Sequence, residues 1–277
     1  MEFPSYVVET IRRALEEDLG SGDITSSLVI PEKNKSKARY IAKGNFLLAG
    51  FPFAREVFRT IDPAIEWKIF PPEGSRVSNG DILAEISGNT RAILAGERVS
   101  LNILQRLSGI ATLTALYVDA IRGLKAKILD TRKTIPCHRF MERYAVRTGG
   151  GDNHRFGLFD GILIKDYHIN ALGSIKEAVK RAKEGHHLTK IEVEVGTLQG
   201  LREAIDAGAD IVMLDNMIVD DIKEAVKITD GKVLLEASGG INLENVRGIA
   251  ETGVDLISVG ALTHSAPAAD ISLKIAK

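Results

Sequence analysis

Arg132, Lys133, His154, Arg155 and Lys165 are the side chains of this sequence whose types and spacing best suit holding a small, strongly anionic molecule. All five lie between Leu129 and Lys165, a stretch with seven Lys or Arg and two His against four acids, in a chain of formal net charge −1. A guanidinium can meet a carboxylate or phosphate through two bonds at once. Three glycines, Gly149 to Gly151, follow, where backbone without Cβ can approach a ligand closely. Further along, Glu194 and Asp215 are hard oxygen donors, suited to Mg²⁺ or to ribose hydroxyls and not to zinc. The turns S-G-G-I-N from Ser238 and S-V-G-A-L-T from Ser258 offer backbone N–H groups to a phosphate. Glu192 and Glu236 are strand residues whose alternation the sequence leaves open.

Other clusters are weaker. Cys137, His138 and Glu142 could form a metal group, but one cysteine without a second cluster argues against it. Asp220 and Asp221 read as caps of the helix that begins there. Arg139, Arg143 and Arg147 fall on a helix between two strands and read as structural or interfacial. The glycine-rich turn G-S-G-D-I-T-S after Leu19 reads as a helix stop.

What must position the five cations is a run of alternating strands and helices. Strand-like apolar runs occur at Lys127–Thr131, Gly161–Lys165, Lys190–Val195, Asp210–Asp215, Lys232–Ala237 and Asp255–Gly260. Near-continuous apolar runs of this length suit parallel strands buried on both faces. Helical spacing joins them, as at Ile175, Ala178, Val179 and Ala182, and Gly185, Gly208 and Gly253 stand where helices stop. No G-x-G-x-x-G follows the first strand, which argues against a dinucleotide fold and favours an α/β barrel. In such barrels the site lies at the C-terminal ends of the strands. There the sequence places Thr131 to Lys133, Lys165, Glu192 and Glu194, Asp215, Ser238 to Gly240, and Val259 to Ala261.

The first hundred residues read as a small α+β domain. They begin with an amphipathic helix over residues 5–19 and end in a turn–strand–turn over 73–88 that lacks the tip lysine of a carrier hairpin. A long helix from Ala95 to about Arg122, kinked near Gly109, links this domain to the barrel. No apolar run is long enough to span a membrane, and the N-terminus shows no signal pattern. The single cysteine suits a reducing cytosol. A pI near 6.6 gives no footprint for nucleic acid.

The segments E-R-V-S-L-N-I-L-Q-R-L-S-G-I-A-T, D-T-R-K-T-I-P, G-G-G-D-N-H-R-F-G-L-F-D-G-I-L-I-K-D-Y-H-I, I-E-V-E-V, V-M-L-D-N-M and E-A-S-G-G-I resemble quinolinate phosphoribosyltransferases over nearly the whole chain. The resemblance implies an N-terminal α/β sandwich (1–104), an incomplete, seven-stranded TIM-like barrel (105–262) and a tail (263–277) that packs back on the first domain. It implies phosphoribosyl transfer from phosphoribosyl pyrophosphate to quinolinate with loss of CO₂, in the cytoplasm. The implied quinolinate pocket is Arg132, His154, Arg155 and Lys165, with Arg98 reaching in from the neighbouring subunit of a homodimer or hexamer. Lys133, Glu194 and Asp215 would serve the phosphoribosyl donor and its Mg²⁺. Thr131, Ser238, Gly239, Gly240, Val259, Gly260 and Ala261 would hold its phosphates, and no organic cofactor is implied. The alternatives are a related phosphoribosyltransferase-like protein of molybdenum metabolism, a barrel lyase with Lys165 as Schiff base, and a non-catalytic quinolinate binder.

Overall fold

The computed structural model describes residues 3–185 and 188–276. In chain order the first elements are α1 (Ser5–Leu19), α2 (Ile24–Val29), β1 (Lys35–Ala42), β2 (Phe46–Leu47) and α3 (Phe51–Ile61). Next come β3 (Glu66–Ile69), β4 (Arg76–Val77), β5 (Ile82–Asn89), α4 (Thr90–Ala120), β6 (Lys127–Leu129) and α5 (Arg139–Thr148). Then follow β7 (Ile162–Ile164), α6 (Asp166–Leu172), α7 (Ile175–Gly185), β8 (Ile191–Val195), α8 (Leu198–Ala207) and β9 (Ile211–Asp215). The last are α9 (Val219–Thr229), β10 (Leu234–Ser238), α10 (Val246–Ala250), β11 (Leu256–Ser258), α11 (Ala261–His264) and β12 (Ile271–Ile275).

The chain forms two compact units. One holds the residues up to Ala115, Thr134–Gly150 and those from Ser265 onward; the other holds Leu116–Lys133 and Gly151–His264. This division differs from the boundary at 104/105 expected from sequence. Residues 105–115 of α4, and the whole segment carrying α5, belong with the first unit.

In the first unit an antiparallel sheet runs in the order β12-β1-β5-β3, with β2 and β4 paired separately. The tail is therefore an edge strand: Ala38 to Ala42 pair with Ile275 to Ile271. Tyr40, Phe51 and Phe58 are fully buried in its core, each ring of that size contributing hydrophobic stabilisation of about 1.5–3 kcal/mol. Helix α3 has no side-chain cap of its own at Gly50. Glu73 supplies the acceptors instead, at 2.8 Å from the N–H groups of both Gly50 and Phe51, and Tyr144 Oη donates to the same carboxylate at 3.0 Å. An acidic group there also suits the positive end of the helix.

Helix α4 runs unbroken through Gly109. The glycine is explained by close approach: a Cβ built on it would lie 1.9 Å from the Pro267 carbonyl oxygen. Gly109→Ala should therefore push the tail outward and destabilise the unit by about 1–3 kcal/mol, as overpacking does. The expected result is a lower thermal midpoint together with faster amide exchange across Ile271–Ile275; unchanged exchange there would show that the tail does not depend on this contact. Gly149, in the glycine triplet, plays a similar part, since its Cβ would fall 2.5 Å from the Ala111 carbonyl oxygen.

The second unit is built on a parallel sheet in the order β6-β11-β10-β9-β8-β7. These are the six strands read from sequence. The seventh expected of an incomplete barrel is reduced to a single bridge, in which Asp152 pairs with Leu129 on the free side of β6. There Asp152 N donates to Ile128 O and Asp130 N to Asp152 O.

Register decides what each face of this sheet does. Ile128, Ile257, Ala237, Leu214 and Val195 form one rung, and Leu235, Val212, Val193 and Ile164 another, all of them buried. This is the apolar face a parallel sheet needs for covering helices. The opposite face carries Glu192, Glu194, Met213, Asp215, Glu236 and Ser238, placed side by side by the same pairings. Apolar burial cannot account for four acids on one face.

Candidate active site

The strand ends of this polar face gather most of the residues expected from sequence. Lys165 caps β7 and donates from Nζ to Glu194 Oε2 at 2.8 Å, a pair in which Glu194 is only 12% exposed. Asp215 ends β9 beside Ser238, the last residue of β10, and accepts from Asn216 Nδ2 at 2.9 Å. Asn216 takes a positive φ of 55° and donates its N–H to Ser238 O. Gly239 is required next to it: its φ is 89°, and a Cβ would lie 2.2 Å from Asn216 Oδ1. The turn 238–240 therefore admits no side chain at its middle residue.

On the neighbouring strand ends, Val259 N donates to Leu129 O at 3.0 Å, tying the turn that holds Gly260 and Ala261 to β6. The Lys133 stem packs over Gly260, its Cδ 3.0 Å from a built Cβ. Thr131 Oγ1 accepts the Lys133 N–H at 3.1 Å, and Thr263 Oγ1 donates to Lys133 O at 2.8 Å. These bonds fix the Lys133 backbone while its ammonium stays exposed.

Arg132 and Arg155 face the same space. Burial lowers the pKa of the Arg155 guanidinium, the charge of Arg132 lowers it further, and Glu192 and Asp160 offset part of the shift. Arg155 is held by an Nη1 donor bond to Gly161 O at 2.9 Å. Two guanidiniums close enough to repel each other make a site that favours an anion with two negative groups.

Beneath them lies a group that sequence left unresolved. His154 Nε2 is 3.1 Å from Glu192 Oε2 and 3.7 Å from Glu236 Oε1, and both acids are buried. Burial raises the Glu236 carboxyl to about 7, with the charge of Glu192 adding to the rise. A dry carboxyl beside a second acid ionises less readily. Asp130, fully buried, accepts Asn153 Nδ2 at 2.6 Å and the His154 N–H at 2.8 Å. Sequence reading passed over Asp130. The only local signal is a lone acid at a strand end before T-R-K, and its partners arrive from 23 and 24 residues away.

The remaining expected residues lie on other elements. Arg98 lies on α4 in the first unit, exposed, with its guanidinium 3.8 Å from Glu97. Arg139, Arg143 and Arg147 are on α5, also in the first unit. Asp220 and Asp221 sit in the first turn of α9 and Asp23 caps α2, as helix-end acids do.

A parallel α/β barrel that sets paired cations and two glycine-containing turns around its strand ends defines an anion-binding barrel enzyme. The family described as quinolinate phosphoribosyl transferase matches this chain twice, its C-terminal domain over residues 110–274 and its N-terminal domain over 23–108. A probable nicotinate-nucleotide pyrophosphorylase [carboxylating] of Bacillus subtilis is 46% identical, covering 94% of this chain and 90% of its own. One of the same name from Methanocaldococcus jannaschii is 43% identical over 98% of both chains. The solved nicotinate-nucleotide pyrophosphorylase of Francisella tularensis superposes with a TM-score of 0.93 at 44% identity, covering 99% of this chain and 98% of that one. The chain belongs to the quinolinate phosphoribosyltransferase family.

Proposed function

We propose that this enzyme joins quinolinate to phosphoribosyl pyrophosphate and releases CO₂, forming nicotinate mononucleotide and pyrophosphate for NAD biosynthesis. The observation that carries the reading is the gathering of cations at the strand ends: Lys165 held by Glu194, Arg155 held by Gly161 O, and Arg132 near enough to add to the lowering of the Arg155 pKa. Quinolinate bears two adjacent carboxylates, and a pair of cations matches them. Lys165 and His154 line the same pocket. Lys165 is an ammonium held by Glu194, which supports an electrostatic role over that of a Schiff-base amine. Arg98 is exposed on its helix, consistent with service to the site of a second copy in a dimer or larger assembly.

The donor substrate's phosphates suit the turns at Thr131, at Ser238, Gly239 and Gly240, and at Val259, Gly260 and Ala261, with Lys133 facing the departing pyrophosphate. Glu194 and Asp215 would hold Mg²⁺; both are hard oxygen donors on one face of neighbouring strands. That ion, when bound with the donor, supplies charge neutralisation for the leaving group.

The pyridine nitrogen forms its bond to the anomeric carbon as the bond to pyrophosphate breaks, through an oxocarbenium-like state. The ring nitrogen is then cationic. The bond from C2 to its carboxylate breaks, the electron pair stays on C2, and a proton takes the place of CO₂. The chain's own contribution is positioning and fixed charge.

No helix among the described residues is long and apolar enough to cross a membrane, and the single, exposed Cys137 is consistent with a cytoplasmic setting. The test is CO₂ release from 2-carboxyl-labelled quinolinate with and without phosphoribosyl pyrophosphate and Mg²⁺. Release only in the complete mixture is expected. Quinolinate binding without release would leave a binding protein, and borohydride trapping at Lys165 would restore the lyase.

A further inference from the structure

His154, Glu192 and Glu236 form a buried cluster for which charge matching to quinolinate gives no account. The acids are 5% and 1% exposed, and one oxygen of each, Oε1, has no hydrogen-bond partner among the described residues. A nitrogen and two carboxylate oxygens within 4.8 Å of one another are spaced as if to hold a metal ion.

The other ring nitrogen argues against a metal. His154 Nδ1 accepts the backbone N–H of Arg155 at 2.7 Å, and an accepting nitrogen carries a lone pair and no proton. In a neutral imidazole the proton is then on Nε2. A protonated Nε2 has no lone pair for a metal. It donates to Glu192 Oε2, which lies 3.1 Å away.

Charge alone would favour a second proton on the ring. Burial opposes it, but the Glu192 hydrogen bond and the charges of Glu236 and Glu192 outweigh burial and raise the imidazole pKa. That second proton would sit on Nδ1, pointing at the Arg155 N–H, and would break the bond made there.

We propose that Glu192 is a positioning residue: it takes the Nε2–H of a neutral His154, whose bare Nδ1 fixes the backbone that carries Arg155. The proposal rests on the quinolinate reading above. Three points hold the same segment: Asp130 takes the His154 N–H, Glu192 takes the ring, and Gly161 O takes the Arg155 guanidinium. The consequence is a different count of cations in the pocket. Arg132, Arg155 and Lys165 meet the substrate's charge, and His154 orients without adding charge.

Nitrogen-15 NMR of histidine-labelled full-length protein at about pH 8 reads the tautomer directly. One protonated nitrogen, Nε2, and one bare Nδ1 are expected for His154. A proton on both nitrogens, or a bare Nε2 bound to a divalent metal, overturns the proposal.

Glu192→Ala should raise KM for quinolinate by about 10–100-fold, the usual effect of losing the partner that orients a functional histidine. KM for phosphoribosyl pyrophosphate should stay within about twofold. Glu192→Gln keeps an acceptor for Nε2–H, so it should preserve the tautomer and recover most of the quinolinate affinity. An equal rise in both KM values, or no rescue by glutamine, overturns the positioning role. If the wild-type protein releases no CO₂ from quinolinate, the functional reading fails while the tautomer result stands by itself.

Discussion

Arg132→Ala and Lys165→Ala should each cut quinolinate turnover by about 10²–10³ while leaving the fold intact, the usual cost of removing one preorganised charge from an active site. Arg132 is exposed beyond the end of β6. Its loss opens no core cavity, and it relieves the repulsion that adds to burial in lowering the Arg155 pKa. The free protein should therefore be no less stable, and the whole effect should appear when the dianion binds. Arg132→Lys should recover only part of the activity, because an ammonium cannot form the paired bonds of a guanidinium. Lys165→Ala acts twice: it removes one cation and leaves Glu194, at 12% exposure, without its partner at 2.8 Å. Until Mg²⁺ occupies Glu194, its bare carboxylate also repels the incoming dianion, so this variant should be the worse of the two in KM. Steady-state kinetics with quinolinate varied, together with circular dichroism of each variant, check both statements. Near-normal turnover in either one removes that residue from the pocket.

Much of this site was legible in the sequence because parallel strands mark themselves. Six apolar runs, with charges or glycines at or near their ends, gave the six strands and placed Lys165, Glu194, Asp215 and Ser238 there. Glu192 and Glu236 were harder. In I-E-V-E-V both acids share one face, but one strand alone does not tell whether that face meets helices or the barrel interior. Pairing settles it by setting Glu194, through Met213, in line with Glu236 on the face opposite the buried apolar rungs. The seventh strand left no apolar run to find, since it is one residue, Asp152, held by two backbone bonds.

The division into compact units departs from the boundary read in sequence for a related reason. Pattern reading follows local periodicity, whereas α5 joins the first unit through contacts made far along the chain. Its Met141, Ala145 and Val146 are buried, and its Glu142 reaches Arg106, 36 residues earlier. Gly109 resembled a kink for the same reason: its partner, Pro267, is more than 150 residues away in sequence.

That Arg106–Glu142 pair leads to the largest expected loss of stability. Glu142 is fully buried, and Arg106 donates to its Oε1 from Nε at 3.1 Å and from Nη2 at 3.0 Å. Ile135 N donates to its other oxygen at 3.3 Å, and Arg106 Nη1 also holds Ala266 O at 3.2 Å. Arg106→Met keeps much of the stem's volume and removes the charge, stranding a carboxylate in the core. Breaking a buried pair from one side costs about 3–5 kcal/mol. Burial already pushes the Glu142 carboxyl above its ordinary range, with Arg106 holding it down; without Arg106 it rises further. A carboxyl whose folded pKa lies above its unfolded value contributes stability that is complete below the unfolded pKa, about 4.3, and is lost as pH rises through the folded one. The variant should therefore fall furthest behind the wild type near neutrality and approach it toward about pH 4–5, where Glu142 takes up a proton. Urea midpoints across that range measure the gap. Adding Glu142→Gln should recover most of the loss at neutral pH, because a neutral amide still accepts from Ile135. The bond to Ala266 stays broken, so recovery should be incomplete. A deficit that is the same at both ends of the pH range, or that Glu142→Gln does not reduce, would mean that Arg106 supports the unit through packing and its backbone bond rather than by neutralising Glu142.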